Sequence, residues 1–160
     1  MAGSSIKSEI QFESYKLDNI SFNLVPEVTV LAKKEHANCE VRYQFAFRHA
    51  LRFKEAAKTS YVTGLKIDLS IFDKDLNMQI ATGSFVITGL FSSTGEFTKE
   101  IEEKLIKLQA PTILFPYIRA SISLILTSAG FSTIILPLIN VAETAKSLDL
   151  KIEDAPVSKQ

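Results

Sequence analysis

Apolar and polar positions alternate without a break from Cys39 to Phe53. Cys39, Val41, Tyr43, Phe45, Phe47, His49, Leu51 and Phe53 fall on one side, and Glu40, Arg42, Gln44, Ala46, Arg48, Ala50 and Arg52 on the other. A period of two marks a half-buried strand. Leu65, Ile67, Leu69 and Ile71 repeat it, and Asp73-Lys74-Asp75 with Asn77 supplies turn chemistry before a further run from Gln79 to Leu90, so these two runs read as a hairpin. Earlier in the chain, Ile10, Phe12 and Ser14 alternate with Glu9, Gln11 and Glu13 in a strand that continues towards Phe22. The pattern therefore predicts four antiparallel strands before any helix. Between the first two, Leu24 to Asn38 carries Val25, Val28, Val30 and Leu31 with no regular period and reads as a crossover loop. So long an apolar loop calls for a functional reason.

Past Leu90 the period lengthens. Ser93 to Gln109 predicts an amphipathic surface helix, with Phe97, Ile101, Leu105 and Leu108 on one side and Lys99, Glu103 and Lys107 on the other. A longer helix is predicted from Thr112 or Phe115 to Ala129. Pro116 then sits in the first turn, where N–H groups have no intrahelical partner, and Gly130 supplies the stop. Leu114, Ile118, Ile122, Ile125 and Ala129 make one apolar stripe on this helix, Phe115, Leu124 and Leu126 lie off it, and Arg119, Ser123 and Thr127 form a narrow polar strip. That is more apolar surface than one small sheet covers. The expectation is a helix held between its own sheet and a neighbouring subunit, with Leu114, Ile118, Ile122 and Ile125 at the oligomer contact. Arg119 is the single formal charge between Thr112 and Val141, and a lone cation there is costly unless paired, so it is expected to hold a helix terminus or a carboxylate.

A membrane span needs roughly 20 consecutive apolar residues. Pro111, Pro116, Pro137 and Gly130 interrupt this run, so no membrane insertion is expected. Asn140 followed by Glu143 reads as a capping box that opens a short last helix through about Leu148. The fold class is α+β, with a single domain over residues 1–149 and a polar tail, 150–160, expected to lack order.

Charge and chemistry narrow the function. The 160 residues hold 18 Lys and Arg against 18 Asp and Glu, so no global field draws the chain to nucleic acid or anionic lipid. Cys39 is the only cysteine, which excludes an intramolecular disulfide and suits a cytoplasmic protein. The start, MAGSSIKSEI, has no apolar segment of a secretory signal. His36 stands in a loop, and His49 alternates with core positions as a satisfied buried histidine. Neither belongs to a metal motif, and no catalytic residue or cofactor is expected. Arg42, Arg48 and Arg52 share a strand face with lysines nearby, yet Tyr43, Phe45 and Phe47 fall on the opposite face, where bases could not stack above bound phosphates. A solvated face balanced by Glu9 and Glu13 is the preferred reading, with no nucleic-acid partner.

Particular residues carry a family resemblance. Ile113-Leu114-Phe115-Pro116-Tyr117 with Arg119 resembles the ILFPYAR motif of the SecB export chaperones, Ile118 standing where Ala is usual. Ile20-Ser21-Phe22 resembles that family's ISF, and Phe85-Val86-Ile87-Thr88-Gly89 its F-x-I-x-G. The likeness runs from about Phe12 to Leu148. It implies a SecB-like, Greek-key sheet and a non-enzymatic holdase built as a tetramer, a dimer of dimers, that keeps unfolded or nascent polypeptides from aggregating. By position, the client groove it implies would take Phe22, Leu24, Val25, Val28, Val30 and Leu31 from the loop, opposed by Phe131, Ile134, Leu138, Val141 and Leu148. Two departures bear on partners. Family members that hand clients to the SecA motor carry acids where this chain has Asn19, Asn23 and Met78, with Asp18 as a substitute for one. The resemblance therefore leaves secretory precursors and an antitoxin both open as clients, and SecA uncertain as a partner.

Overall fold

The structure is a computed structural model, and it describes residues 10–27, 38–95, 97–131, 136, 139–146 and 150–156. Strands β1 (Gln11–Leu24), β2 (Cys39–Lys54), β3 (Thr59–Asp73), β4 (Met78–Ser93) and β5 (Ile152–Asp154) form one sheet in the order β1-β4-β3-β2-β5. β2, β3 and β4 form an antiparallel meander, and β1 lies beside β4, the Greek-key arrangement expected. At the β3–β4 turn, Asp73 Oδ1 accepts the N–H groups of Asp75 and Leu76 at 2.9 and 3.1 Å, and Asn77 takes the left-handed conformation at φ 52°.

Helices follow the sheet: α1 (Lys99–Lys104), a π-helical turn (Leu105–Gln109), α2 (Ala110–Ser128) and α3 (Val141–Lys146). Thr98 caps α1 by accepting the N–H of Ile101, and Asn140 Oδ1 accepts the N–H of Glu143 at 3.2 Å, the cap expected for α3. The core lies between α2 and one face of β3 and β4. Leu65, Ile67, Ile71, Phe85 and Ile87 of the sheet meet Leu114, Ile118, Ile122 and Leu126, none more than 1% exposed. Gly89 permits that approach, because a Cβ there would lie 2.7 Å from the Leu114 side chain.

The two predicted helices are one continuous helical run from Lys99 to Ser128, which moves Pro116 from a first turn into the helix interior. Pro111 explains the join. It has no N–H to donate, and its ring would press on the carbonyl four residues back; the wide turn immediately before it separates the two. The Thr112 hydroxyl then donates to the Leu108 carbonyl at 2.8 Å. That turn also shifts the helical phase: Ile101 is exposed while Leu105 and Ile106 are buried, so the stripe Phe97-Ile101-Leu105-Leu108 does not hold. By length and composition the run could cross a membrane. Its stripe of Leu114, Ile118, Ile122 and Leu126 is covered by the sheet, and 39% of its most apolar window is buried.

Three further expectations are corrected. Leu114, Ile118 and Ile122, assigned to an oligomer contact, are buried against the chain's own sheet and keep no surface for a partner, while Ile125 is half-buried. The polar tail is ordered at Ile152–Asp154, where β5 pairs in parallel with β2; three residues are too few for a period to register in a sequence. His49 is exposed, not buried. The β2–β3 register shifts between Arg48 and Leu51, and this bulge turns Ala50 into the core and His49 out.

Candidate functional site

Two irregularities in β1 decide which side chains face the helices. The β1–β4 register shifts between Phe12 and Ser14 and again between Leu17 and Asn19. In an antiparallel pair, opposed residues share a face. Phe12, Tyr15, Leu17, Ile20 and Phe22 oppose Phe91, Gly89, Ile87, Phe85 and Gly83, which point to the helix side. Strict alternation would have scattered these five over both faces. Two bulges gather them on one.

Aromatic contacts at both ends set α2 beside this line. Tyr15 and Tyr117 have ring centroids 4.6 Å apart, Phe12 and Tyr117 5.4 Å, and at the other end Phe22 meets Phe131 edge-on at 6.3 Å. Gly130, at φ 93°, turns the chain after α2, and the Phe131 N–H donates to the Leu126 carbonyl at 2.7 Å. β1 is an edge strand, so the line is incompletely covered. Tyr15 is 41% exposed, Ile20 45%, and Leu124, on the outer side of α2, 68%; Leu17, Leu24 and Tyr117 are also exposed. Exposed apolar side chains gathered along one line are more than the scattered single exposures usual on a protein surface.

The residues expected in a client groove differ in exposure. Phe131 and Val141 are buried. Phe22 and Val25 are half-buried over the core, Val25 being fixed by its N–H donating to the Ile80 carbonyl at 2.9 Å. Leu24 is exposed. Val28, Val30, Leu31, Ile134, Leu138 and Leu148 lie outside the described residues, as does His36. Sequence reasoning missed Tyr15, Leu17, Tyr117 and Leu124. Tyr117 and Leu124, seven apart on one helix, carried a usable signal; Tyr15 and Leu17 depended on the bulges.

Polar chemistry gathers elsewhere, at the far end of β2. The bulge that displaces His49 also carries Arg52 off the open sheet face and towards α1. Its guanidinium grips Glu102 through both Nε, at 2.9 Å, and Nη2, and Tyr61 donates to Glu102 at 2.6 Å. The hydrogen bond to Glu102 raises the Arg52 pKa, and burial followed by the same carboxylate pushes the Tyr61 phenol well above its usual range. The basic strand face read from sequence is therefore broken up. Arg52 has left it, Arg48 pairs with Asp18 at 2.7 Å, and Arg42 with Glu40 at 3.3 Å. Glu13 is bonded to Ser92, and Glu9 lies outside the described residues. A polar cleft of about 990 Å³ beside Tyr61 and Glu102 has its central ionisable groups tied to one another. No cluster of three metal-ligating side chains occurs among the described residues. Burial raises the Cys39 thiol, which disfavours the reactive thiolate.

Comparison with known proteins agrees with this architecture. The model of the SecB family, described as preprotein translocase subunit SecB, matches residues 7–144. The chain belongs to the SecB family, and it is a chaperone. An uncharacterized protein of Methanocaldococcus jannaschii is 27% identical over 156 residues, spanning 96% of this chain and 93% of that one. Among solved structures, the SecB-like chaperone Rv1957 of Mycobacterium tuberculosis, in complex with a ChAD peptide from the HigA1 antitoxin, superposes with a TM-score of 0.60. It is 17% identical and covers 82% of this chain and 91% of its own. A Streptococcus agalactiae protein of unknown function matches with a TM-score of 0.48, 16% identity, 81% of this chain and 98% of that one.

Proposed function

We propose that this chaperone is a holdase of the cytoplasm, a non-enzymatic tetramer that sequesters unfolded or nascent polypeptides, secretory precursors among them. The observation that carries the reading is the line of apolar side chains along β1, gathered on one face by two bulges and left partly uncovered beside α2. Client side chains would be buried over the end of this line, at Phe22, Leu24 and Val25 with Phe131 beneath, and over Val28, Val30, Leu31, Ile134, Leu138 and Leu148 of the adjoining segments. Apolar burial contributes about 25 cal/mol per Å² and needs no sequence code. Unfolded chains present such side chains and folded ones hide them, so preference for the non-native state follows from the surface.

Self-association would use the other end. Tyr15, Leu17 and Ile20 of β1 with Tyr117 and Leu124 of α2 form an exposed apolar patch that a second copy would cover. The exposure of Tyr117 and Leu124 supports a subunit contact on the outer face of α2 rather than on the stripe buried beneath it.

One observation favours a dedicated client over handover to SecA. Asp18, the acid next to the Asn19 and Asn23 positions, is neutralised by Arg48, and Met78 is half-buried at the start of β4. The acid beside the Asn19 position is thus already paired within the chain. The antitoxin-bound Rv1957 structure supports the same alternative, an antitoxin as client. Crosslinking in the source cells separates the two: nascent secretory precursors with SecA support export, and one antitoxin recovered in excess supports the dedicated role.

A further inference from the structure

The outer edge of β2 is already occupied, over a short stretch, by the chain's own C-terminal segment. β2 has 16 residues, and β5 pairs with only Ala50, Leu51 and Arg52. The pairing is parallel in a sheet that is otherwise antiparallel. It is made mostly by backbone: the Ala50 N–H donates to the Lys151 carbonyl at 2.9 Å, the Ala155 N–H to the Arg52 carbonyl at 2.8 Å, and the Lys151 N–H to His49 Nδ1 at 3.0 Å. Two side chains add selectivity. Ile152 packs half-buried on the core, and Asp154 accepts from Arg52 Nη1 at 2.9 Å.

Resting on the holdase reading above, we infer that this edge is a binding surface for an extended polypeptide strand with an apolar residue two positions before an acid, and that β5 is its intramolecular competitor. The edge meets every backbone requirement for strand addition, because any extended segment offers the N–H and C=O groups that Lys151 and Ala155 offer. Arg52 supplies charge complementarity. Glu102 engages Nε and Nη2 of its guanidinium, and Nη1 is directed to the acid of the incoming strand. The bulge after Arg48 serves this surface by bringing Arg52 to the edge and turning His49 outward to receive an amide.

β5 is suited to give way. Its ion pair is exposed on the Asp154 side, at 68%, where such pairs contribute little, and Leu150, 3% exposed, anchors the chain just before it. A docked tail competes as a tethered ligand, so a tail seated about 90% of the time weakens a partner's apparent affinity about tenfold. Only an extended chain long enough to pair beyond Ala50, along the edge towards Cys39, outcompetes it. The device thus filters short or folded segments.

The test uses the full chain and its Ile152→Gly/Asp154→Lys double variant, with Asp154→Ala as a milder second variant at an exposed position. The probe is a labelled peptide of sequence Lys-Ile-Glu-Asp-Ala-Pro, alongside one with Lys in place of Asp. Hydrogen exchange at the Ala155 amide reports release of the tail. The expected result is faster exchange in the double variant, about tenfold tighter binding of the acidic peptide than to the parent, weaker binding of the charge-reversed peptide than of the acidic one, and a smaller gain for Asp154→Ala. Exchange at Ala155 as slow as in the parent, or equal peptide affinity with the tail released, would overturn the inference. The peptide readout involves no client, so it stands apart from failure of the parent chain to protect an unfolded protein, which would count against the holdase reading alone.

Discussion

Arg119 shows how a single residue reconciles charge with an apolar run. Its Nε donates to the Leu136 carbonyl at 2.9 Å, so among the described residues it holds the backbone of the segment that follows α2, where a helix terminus or a carboxylate was expected. Hydrogen bonds from charged groups are worth about 1.5–3 kcal/mol, and Arg119→Ala is expected to lower stability by an amount in that range, read as a fall in Tm. Loss of client binding at an unchanged Tm would instead place Arg119 in the binding surface. Tyr61 makes a second case. Its folded pKa is raised above the unfolded value of 10.0, first by burial and then by Glu102, so the stabilisation is fully present below about pH 10 and is lost as pH rises through the folded value. Tyr61→Phe should therefore flatten the decline of Tm above pH 10 relative to the parent. A decline of equal slope in both would remove Tyr61 as its source.

Secondary-structure elements were legible wherever a period ran uninterrupted. The alternation in β2 and β3, the turn at Asp73 and the cap at Asn140 all follow from local chemistry that residues announce within a few positions. What escaped were the places where one residue resets a pattern. The bulges at Glu13 and Asp18 turn Tyr15, Leu17 and Ile20 together, and the bulge after Arg48 exchanges His49 for Ala50 and re-aims Arg52. An inserted residue is visible only against its partner strand, which no single sequence contains. The π turn before Pro111 likewise moved the phase of α1 and joined two helices into one. For the candidate site, the family resemblance supplied the positions of Phe22, Leu24, Val25, Phe131 and Val141, whereas the burial of Phe131 and Val141 needed the return path of the chain. α2 itself gives a paired prediction. Ile122→Ala, in the core, should cost about 2–5 kcal/mol of stability and leave the subunit count unchanged. Leu124→Asp, on the outer face, should change Tm little in the isolated subunit but reduce the assembled mass; equal masses for Leu124→Asp and parent would remove the outer face from the contact.

For the whole molecule, a sheet with helices on one face leaves the helices' outer side to be covered by something else. Tyr117 and Leu124 of α2 are exposed there, with Tyr15, Leu17 and Ile20 of the edge strand β1 beside them, more apolar surface than scattered single exposures account for. Static light scattering at micromolar concentration should give about four times the chain mass of 17.8 kDa. A mass of one chain would contradict the assembly. The end of the β1 line at Phe22, Leu24 and Val25 lies apart from that patch, so in the proposed assembly it would stay accessible to a client.

The most direct measurement is light scattering of a chemically denatured client diluted into buffer with and without the chain at several-fold molar excess, for the parent and for a variant with Leu24, Val28 and Leu31 changed to Ser. The account predicts that the parent holds scattering near the buffer baseline and that the triple variant protects markedly less at a nearly unchanged Tm, because the residues of a client groove would contribute less to folding than core residues. Scattering by the client that is the same with the parent chain as without it would contradict the holdase function.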